Sequence, residues 1–258
     1  MSRLPLVSVV IPAYNSARTL DEAVESVLAQ SVDELEVLIV DDGSTDQTAA
    51  YLHSIPDKRL TILQPGRGGR AAALNLAVGA ANAPFLANLD ADDLMLPGRL
   101  ARQAHFLEQN PDIGLVGSSV IWQNKEGQRE TRHFPSKDAA LRQRLFTGYP
   151  FAHSSVMYRR RDIQKACVFD PTLACALDYD LFCRLAATEQ LANLAEPLTV
   201  RRVHDSNFFI HHITPKQYWH ALWQIKWRYW VAAGRPYEQL PRLLATTILS
   251  GVGKWWRS

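Results

Sequence analysis

Three carboxylates follow directly on an apolar run in the first half of the chain. Residues 85–89 read Phe-Leu-Ala-Asn-Leu, and Asp90, Asp92 and Asp93 come next. Such a run is typical of a buried parallel strand, and ligands of open α/β sheets bind beyond the carboxyl ends of these strands. Clustered carboxylates repel one another, and hard oxygen ligands favour Mg²⁺ or Mn²⁺, often with substrate phosphates. The alternative is an acidic cap of the next helix, in which Asp92 or Asp93 binds free amides.

Acidic residues also follow an earlier apolar run. Residues 36–40 read Glu-Val-Leu-Ile-Val, and Asp41 and Asp42 come directly after them. An aspartate at the end of a strand can accept hydrogen bonds from a nucleobase or a ribose. The alternative is a cluster of turn and cap residues, with Ser44 or Asp46 capping the helix that follows.

A glycine-rich loop at residues 64–70 precedes an alanine-rich helical segment at 71–81. Glycines before a helix allow backbone amides to approach a phosphate, and Arg67 and Arg70 add positive charge. The glycine spacing is not that of a dinucleotide-binding fingerprint, and the loop follows the third strand rather than the first. The loop alone is therefore a weak indication of a phosphate site.

These groups need a scaffold that brings the ends of several strands together. Apolar runs at 6–11, 36–40, 60–63 and 85–89 alternate with helical patterns, which predicts an α/β fold with a doubly wound, mostly parallel sheet. Pro12 is expected to end the first strand because proline cannot extend a hydrogen-bond ladder. Polar clusters then close three strands at one edge of the sheet.

The composition is that of an ordinary soluble protein. The chain has 258 residues, of which 47% are apolar and 21% charged, enough for a substantial core. Neither a secretory signal nor an apolar run long enough to span a membrane is apparent. Three cysteines without metal-site spacing favour a reduced, cytoplasmic location. The basic residues are concentrated after residue 200, and because the sheet edge is acidic, nucleic-acid binding is disfavoured.

Four motifs, in order and spacing, carry a family resemblance. Residues 7–15, 41–46, 72–75 and 89–93 closely resemble the family 2 glycosyltransferases, which use nucleotide-sugar donors on a GT-A fold. The resemblance implies that Asp92 and His204 bind Mn²⁺ or Mg²⁺ and that Asp42 holds the base. It implies a larger set of donor-binding residues: Pro12, Ala13, Tyr14, Asn15, Asp41, Asp42, Arg70, Asn75, Asp90, Ala91, Asp92 and Arg202.

The sequence departs from the family pattern at two places. The family often has Arg where this chain has Leu74, and Arg70 is expected to serve instead. At the position of the catalytic base the family has a Glu-Asp pair, whereas this chain has Leu177 and Asp178. Asp178 is therefore the expected base, although an acid in the first turn of a helix also compensates the helix dipole. Asp180, two residues on, is expected to face away or to cap.

Further segments extend the resemblance. Residues 110–118 and 130–134 are predicted to be strands, 97–109 and 138–146 helices, and 153–160 a strand on the acceptor side. His153 has two interpretations, a structural residue or an active-site one. Residues 198–207 resemble the strand and loop that close over the donor, and alternation places Arg202 and His204 on one face of that strand.

The end of the chain is basic and rich in tryptophan. Trp219, Trp223, Trp227 and Trp230 fall on one stripe of a helix. The helix either packs its aromatic residues on the body or lies on an anionic membrane surface, with 254–257 as an interfacial end. Three parts are thus expected: a nucleotide-sugar-binding half at 1–110, an acceptor-binding and catalytic half of the same domain at 111–213, and a helical tail at 214–258.

The function expected from these features is metal-dependent, inverting transfer of a single sugar. The donor is a nucleotide-sugar, with UDP expected first, and the acceptor is a hydroxyl of a surface glycan or a lipid-linked glycan. The Gln-x-x-Arg-Trp motif of processive synthases is not found. One alternative is a non-catalytic nucleotide-sugar-binding scaffold, which Leu177 favours. The other is a sugar-phosphate nucleotidyltransferase, which should carry a glycine-rich loop where this chain has residues 12–15.

Overall fold

Strands and helices alternate along the first half of the chain, as the apolar runs predict. The computed structural model describes residues 6–32, 34–166, 168–203 and 213–234, together with 238, 240, 241 and 245. The strands are β1 Val7–Ala13, β2 Leu35–Asp41, β3 Leu60–Leu63, β4 Phe85–Asn88, β5 Leu94–Met95, β6 Ile113–Gln123, β7 Arg129–Arg132, β8 Met157–Arg159 and β9 Gln190–Arg202. The helices are α1 Leu20–Leu28, α2 Thr48–Ser54, α3 Arg70–Ala80, α4 Arg99–Gln109, α5 Asp138–Thr147, α6 Arg160–Lys165, α7 Leu177–Thr188 and α8 Pro215–Ala232.

The strands of the described residues form one mixed sheet in the order β3-β2-β1-β4-β8-β6-β9-β5, with β7 paired to β6. The pairs β1–β2, β2–β3, β1–β4 and β6–β9 are parallel, whereas β8 lies antiparallel between β4 and β6. Strands β1, β2, β3, β4, β6 and β9 therefore all point the same way. The predicted mostly parallel sheet is confirmed, and the carboxyl ends of these strands share one edge.

Two apolar layers cover the sheet, one on each face. Val9 and Ile11 of β1 pack in the layer that includes α1 and α4, whereas Val10 packs in the layer that includes α3, α5 and α7. Strands buried on both faces read as continuous apolar runs, and for this reason the runs in the sequence locate them well.

Pro12 does not end β1, contrary to expectation. The strand continues through Ala13, and Pro12 lies in register with Val40 of β2. Pairing with β4 ends at Val10, whose carbonyl accepts from Leu89 N. Since alternate residues direct their backbone groups to the same neighbour, Pro12 faces the side where β4 has already ended. Its missing N–H therefore leaves no ladder bond unmade.

Residues 153–155 form a short 3-10 turn, and β8 begins only at Met157, so the strand predicted from 153 is wrong at its start. The turn is held by Arg99, which is fully buried at the start of α4. Its guanidinium donates to the carbonyls of Asn88 at 2.9 Å, Ser154 at 2.5 Å and Val156 at 3.1 Å. Arg99 thus fastens the turn to the end of β4.

Helix α8 begins with a capping box between Thr214 and Gln217. It packs against α5 and α7 through buried side chains, among them Tyr218, Leu222, Ile225 and Tyr229. The tryptophan stripe is divided: Trp230 is buried in the same core cluster, and Trp223 packs partly against it. Trp219 and Trp227 are 36% and 43% exposed, and successive rings from Trp219 to Trp230 are 5.0–6.2 Å apart.

Two further observations bear on whether the tail is a basic helix that contacts a membrane. Lys226 is buried, and burial lowers its pKa to about 8, so its ammonium group is not part of the exposed basic surface. Among the described residues no helix combines the length and apolarity required to cross a membrane. Residues 254–257 lie outside the described residues, so the interfacial end predicted there stays a prediction.

Candidate active site

The three aspartates that follow β4 form a tight cluster. One carboxylate oxygen each from Asp90, Asp92 and Asp93 lies within 4.8 Å of the others. Asp93 is only 2% exposed, and burial together with the charges of Asp92 and Asp90 raises its pKa well above the ordinary value. The cluster is therefore a concentration of negative charge at the carboxyl edge of the sheet.

Arg70, the first residue of α3, meets this cluster. Its Nη2 lies 2.5 Å from Oδ1 of Asp90. Burial alone would raise the pKa of Asp90, but the Arg70 guanidinium holds it well below the usual range. Arg70 and Asp90 are thus brought together, as the sequence predicts for two donor-binding residues.

His153 lies beside the same carboxylate. Its Nε2 is 3.9 Å from Oδ1 of Asp90, and the ring packs edge-on to Phe169 at 6.0 Å between centroids. The side chain is 9% exposed, and neither ring nitrogen has a hydrogen-bond partner among the described residues. Burial lowers the pKa of His153. A buried, unpaired donor and acceptor therefore adjoin the acidic cluster.

Asp178 lies in the first turn of α7 and is half-buried. Among the described residues no hydrogen bond or ion pair engages its carboxylate. Behind burial and nearer charges, its charge contributes to the pKa values of Arg70 and His153, so it lies within electrostatic range of both. Asp180 is buried elsewhere and pairs with Arg184 at 2.8 Å, so it faces away from the cluster and is not a cap.

Loops at the ends of β1, β2 and β3 meet at one place. The Asp42 carboxylate accepts from the amides of Gly68 at 2.6 Å and Gly69 at 3.0 Å, and from Arg67 at 2.6 Å. The Arg67 guanidinium carbon in turn lies 3.6 Å from the centroid of the Tyr14 ring. Asp42 therefore positions the glycine-rich loop, and its direct contact with a base stays a prediction.

Side-chain oxygens that accept from backbone amides also hold the turns after β1 and β2. Asp41 Oδ1 accepts from Ser44 N at 3.0 Å, and Asn15 Oδ1 accepts from Thr45 N at 2.8 Å. Asn15 has a φ of 49°, a left-handed conformation that asparagine tolerates. Pro12 and Ala13 precede this turn as the buried end of β1. The first two motifs thus form one packed unit at the sheet edge.

Asn75 and Arg202 have contacts that indicate positioning roles. Both polar atoms of the Asn75 amide pair with the backbone of Phe169, at 2.9 Å each. Arg202 donates its backbone N–H to Asp93 at 2.9 Å, and its side chain binds the carbonyls of Asp92 and Thr19. Arg202 therefore fastens the end of β9 to the acidic loop. His204 lies outside the described residues, so its metal-binding role stays a prediction.

The donor atoms of the cluster fit a hard divalent cation. They are carboxylate oxygens within reach of a single ion, and Mg²⁺ and Mn²⁺ prefer such ligands. Ala91 lies between two of the acids and is buried, and its carbonyl accepts from Thr19 Oγ1 at 2.9 Å. This bond fixes the loop on which Asp90 and Asp92 stand.

The comparison with known proteins gives the family. The model of glycosyl transferase family 2 matches residues 8–167 of the chain. This chain belongs to glycosyl transferase family 2. The putative glycosyltransferase EpsE of Bacillus subtilis is 35% identical over 62% of the chain and 58% of its own length. The succinoglycan biosynthesis protein ExoO of Rhizobium meliloti is 43% identical over 62% of the chain and 45% of its own length.

Solved structures of similar fold confirm the GT-A architecture of this family 2 member. TarS 1–349 of S. aureus, in complex with UDP-GlcNAc, matches 85% of the chain and 65% of its own length, with 21% identity and a TM-score of 0.72. A mannosyltransferase from Pyrobaculum calidifontis, in complex with GDP-Man and Mn²⁺, matches 98% of the chain and 76% of its own length, with 20% identity and a TM-score of 0.64.

One residue beside the site was not predicted from the sequence. Arg201 precedes Arg202 and is exposed, and it lowers the pKa values of both Asp90 and Asp93, although burial and the nearer charges have larger effects. Strand alternation favoured Arg202, so adjacency to that residue was the available indication of Arg201. Asp93, which the sequence predicts as a metal ligand or a helix cap, joins the acidic cluster in the structure.

Proposed function

We propose that this chain transfers a single sugar from a nucleotide-sugar to a hydroxyl of a surface glycan or a lipid-linked glycan, with inversion at the anomeric carbon. The observation that carries the proposal is the Asp178 carboxylate, which has no hydrogen-bond or ion-pair partner among the described residues and lies within electrostatic range of Arg70 and His153. A general base needs a free carboxylate within reach of the reacting atoms. In the first turn of α7 its charge also compensates the helix dipole, but that role engages neither carboxylate oxygen.

Asp178 acts as the base in this mechanism. It takes the proton of the acceptor hydroxyl as that oxygen attacks the anomeric carbon, and the bond to the nucleoside diphosphate breaks on the opposite side. Arg70 holds Asp90 in its charged form and adds positive charge near the departing diphosphate. A divalent cation held by Asp92, with Asp90 and Asp93 beside it, would supply further neutralisation of that charge. With one base and no second carboxylate placed as a nucleophile, a single displacement gives inversion.

His153 contributes through its unpaired ring nitrogens. A neutral imidazole has one N–H donor and one acceptor, and both are unpaired among the described residues. Leaving buried polar groups unpaired costs about 1–3 kcal/mol each. A sugar hydroxyl or a phosphate oxygen of the donor would satisfy them, which gives His153 a role in binding substrate.

The similar proteins support a nucleotide-sugar donor and a polysaccharide product. TarS has been solved with UDP-GlcNAc, the mannosyltransferase with GDP-Man and Mn²⁺, and ExoO is named for succinoglycan biosynthesis. We take a UDP-sugar as the donor and a GDP-sugar as the alternative. The ring of Tyr14 with Arg67 offers a stacking platform for either base.

Thermal unfolding with added nucleotides tests the proposal. UDP-, GDP- and dTDP-sugars should be compared with and without Mn²⁺, and one nucleotide class should raise Tm in a metal-dependent manner. A ligand at about 100 times its Kd adds about 2.7 kcal/mol to the free energy of unfolding. If no nucleotide-sugar shifts Tm under either condition, the donor site is absent and the proposed function is wrong.

We also propose that α8 makes peripheral contact with the inner face of the cell membrane. The exposed Trp219 and Trp227, with the exposed Arg228 next to Trp227, fit the interfacial pattern of aromatic and basic side chains, although Arg228 also lies 3.7 Å from Asp170. The other face of α8 packs on the body, so deleting the helix would expose the core. Substitution of the exposed rings is the cleaner test.

The double substitution of Trp219→Ser and Trp227→Ser should lower binding to vesicles of anionic phospholipid by about tenfold. Flotation of the full chain with phosphatidylglycerol vesicles measures this. The matched control is Leu76→Ser, which removes an exposed apolar side chain on α3, outside α8. This variant should bind the vesicles as the unmodified protein does. Equal flotation of all three proteins would show that α8 does not bind membrane.

A further inference from the structure

Trp122, near the end of β6, is flanked by two arginines. The guanidinium carbon of Arg132 on β7 lies 3.7 Å from the centroid of the Trp122 ring, and that of Arg201 on β9 lies 4.6 Å from it. Arg201 is exposed, and Arg132 and Trp122 are half-buried. Within the described parts of the chain neither guanidinium forms an ion pair with a carboxylate. We call these three residues the arginine–tryptophan cluster.

The sheet places this cluster next to the acidic one. Trp122 lies in register with Arg201, near the carboxyl ends of the parallel strands β6 and β9. The next residue, Arg202, donates its amide to Asp93. Since β6 and β9 lie on the far side of β4 from β1, β2 and β3, the arginine–tryptophan cluster flanks the acids on the side away from the nucleotide loops. In the proposed function the nucleotide occupies the loops of β1, β2 and β3, which leaves this side for the acceptor.

The chemistry of the cluster is that of an anion site. A guanidinium stacked on an aromatic ring is held in one orientation, is weakly hydrated, and keeps its N–H groups at the rim for two parallel bonds to a carboxylate or phosphate. Charge-assisted bonds of this kind are about twice as strong as neutral ones. Stacking also shields the indole from water, and the charge of Arg201 partly offsets Asp90 and Asp93. Neither effect accounts for Arg132, which stacks on the same ring and has no carboxylate partner among the described residues.

We propose that Trp122, Arg132 and Arg201 form an acceptor subsite that binds an anionic group of the acceptor glycan, a uronate carboxylate or a phosphate ester. The proposal rests on the proposed glycosyl transfer, because it assigns the acceptor side of that site. It specifies that the acceptor glycan is anionic. A neutral glycan would leave both guanidinium groups without a partner.

The test measures sugar binding by NMR, through the indole N–H signal of Trp122 assigned by its loss in Trp122→Phe. The probes are methyl β-glucuronide, glucose 6-phosphate and the neutral methyl β-glucoside, added to the full chain. The anionic probes should bind about tenfold more tightly than the neutral one. A preference for the glucuronide indicates a uronate acceptor, and a preference for the phosphate indicates a phosphorylated one.

Variants separate the subsite from general charge effects. Arg132→Gln should remove the preference for anionic probes, and Arg132→Lys, which keeps the charge but not the planar fork, should retain only part of it. Arg129→Gln is the matched control: Arg129 is exposed on the same strand and bonds Gln123 at 2.9 Å, and its loss should leave the preference unchanged.

Either of two results overturns the subsite: equal binding of all three probes to the unmodified protein, or a preference that survives in Arg132→Gln. Donor binding is measured separately by the shift in Tm with UDP-sugar. Because Arg132 lies on the acceptor side, Arg132→Gln should leave that shift intact. A missing donor shift in the unmodified protein would instead contradict the proposed function, whatever the NMR titration shows.

Discussion

Asp178→Asn is expected to abolish sugar transfer and leave donor binding intact. Asparagine has the shape of aspartate but cannot accept a proton, and loss of a general base lowers the rate by about 10²–10⁴-fold. The fold should survive, because among the described residues Asp178 has no hydrogen bond or ion pair to lose. Release of nucleoside diphosphate in the presence of acceptor measures the first effect, and the shift in Tm with UDP-sugar and Mn²⁺ measures the second.

Asp180→Asn is the matched control, two residues along the same helix. Asp180 is buried and pairs with Arg184, which in turn donates to the carbonyl of Val168 at 2.5 Å. Breaking a buried pair costs about 3–5 kcal/mol, so this variant should unfold at lower denaturant concentration yet keep its turnover per folded molecule. If Asp178→Asn still transfers sugar, Asp178 is not the base. If it loses donor binding as well, Asp178 belongs to the donor site.

Asp92→Asn is expected to have effects of opposite sign on the free protein and on its complex. Without metal, removing the Asp92 charge, which helps to raise the pKa of Asp93, relieves repulsion within the cluster and should raise Tm. With Mn²⁺ and UDP-sugar, the variant should lose the stabilisation of about 2.7 kcal/mol that ligand at 100 times its Kd confers. A general folding defect cannot produce this combination, because it would lower Tm in both conditions.

The control for this experiment is Asp112→Asn. Asp112 is exposed and lies before β6, at the opposite edge of the sheet from the acidic cluster. Removing its charge should change Tm little with or without ligand. Should Asp92→Asn retain the full metal-dependent shift, the cation would be held elsewhere, and the alternative of an acidic helix cap at 90–93 would be the better interpretation.

The strands and the acidic cluster were predictable because both depend on local sequence. A parallel strand buried on both faces is almost entirely apolar, so the runs at 6–11 and 85–89 identify β1 and β4. The acids that follow such runs necessarily share an edge. Arg70 was predicted twice, as a positive charge of the glycine-rich loop and as a replacement for the family's arginine at Leu74, and it pairs with Asp90.

Other features depend on contacts between distant segments, which periodicity does not report. His153 reaches Asp90 because β8 lies between β4 and β6, a pairing that no local pattern encodes. For α8, the tryptophan stripe and the stripe containing Tyr218 and Ile225 are both apolar. The structure buries the second stripe together with Trp230 and leaves Trp219 and Trp227 exposed, a division that the sequence could not predict. The hydrogen bonds between Asn75 and Phe169 could likewise not be predicted from the sequence, because these residues are far apart in the chain.

The position of β8 has a consequence for how members of such a family can diversify. A strand from residues 157–159 lies between β4, from the first part of the chain, and β6, so the sheet has no seam at residue 110. Arg99 crosses the same division to reach Ser154. Recombination at that point would combine residues before 110 from one protein with residues after 110 from another. The pairing of β8 with β4 and the contact of Arg99 with Ser154 would then join segments that had not evolved together. New acceptor preferences in this architecture should therefore arise by substitutions at the rim, such as those around Trp122, rather than by exchange of whole modules.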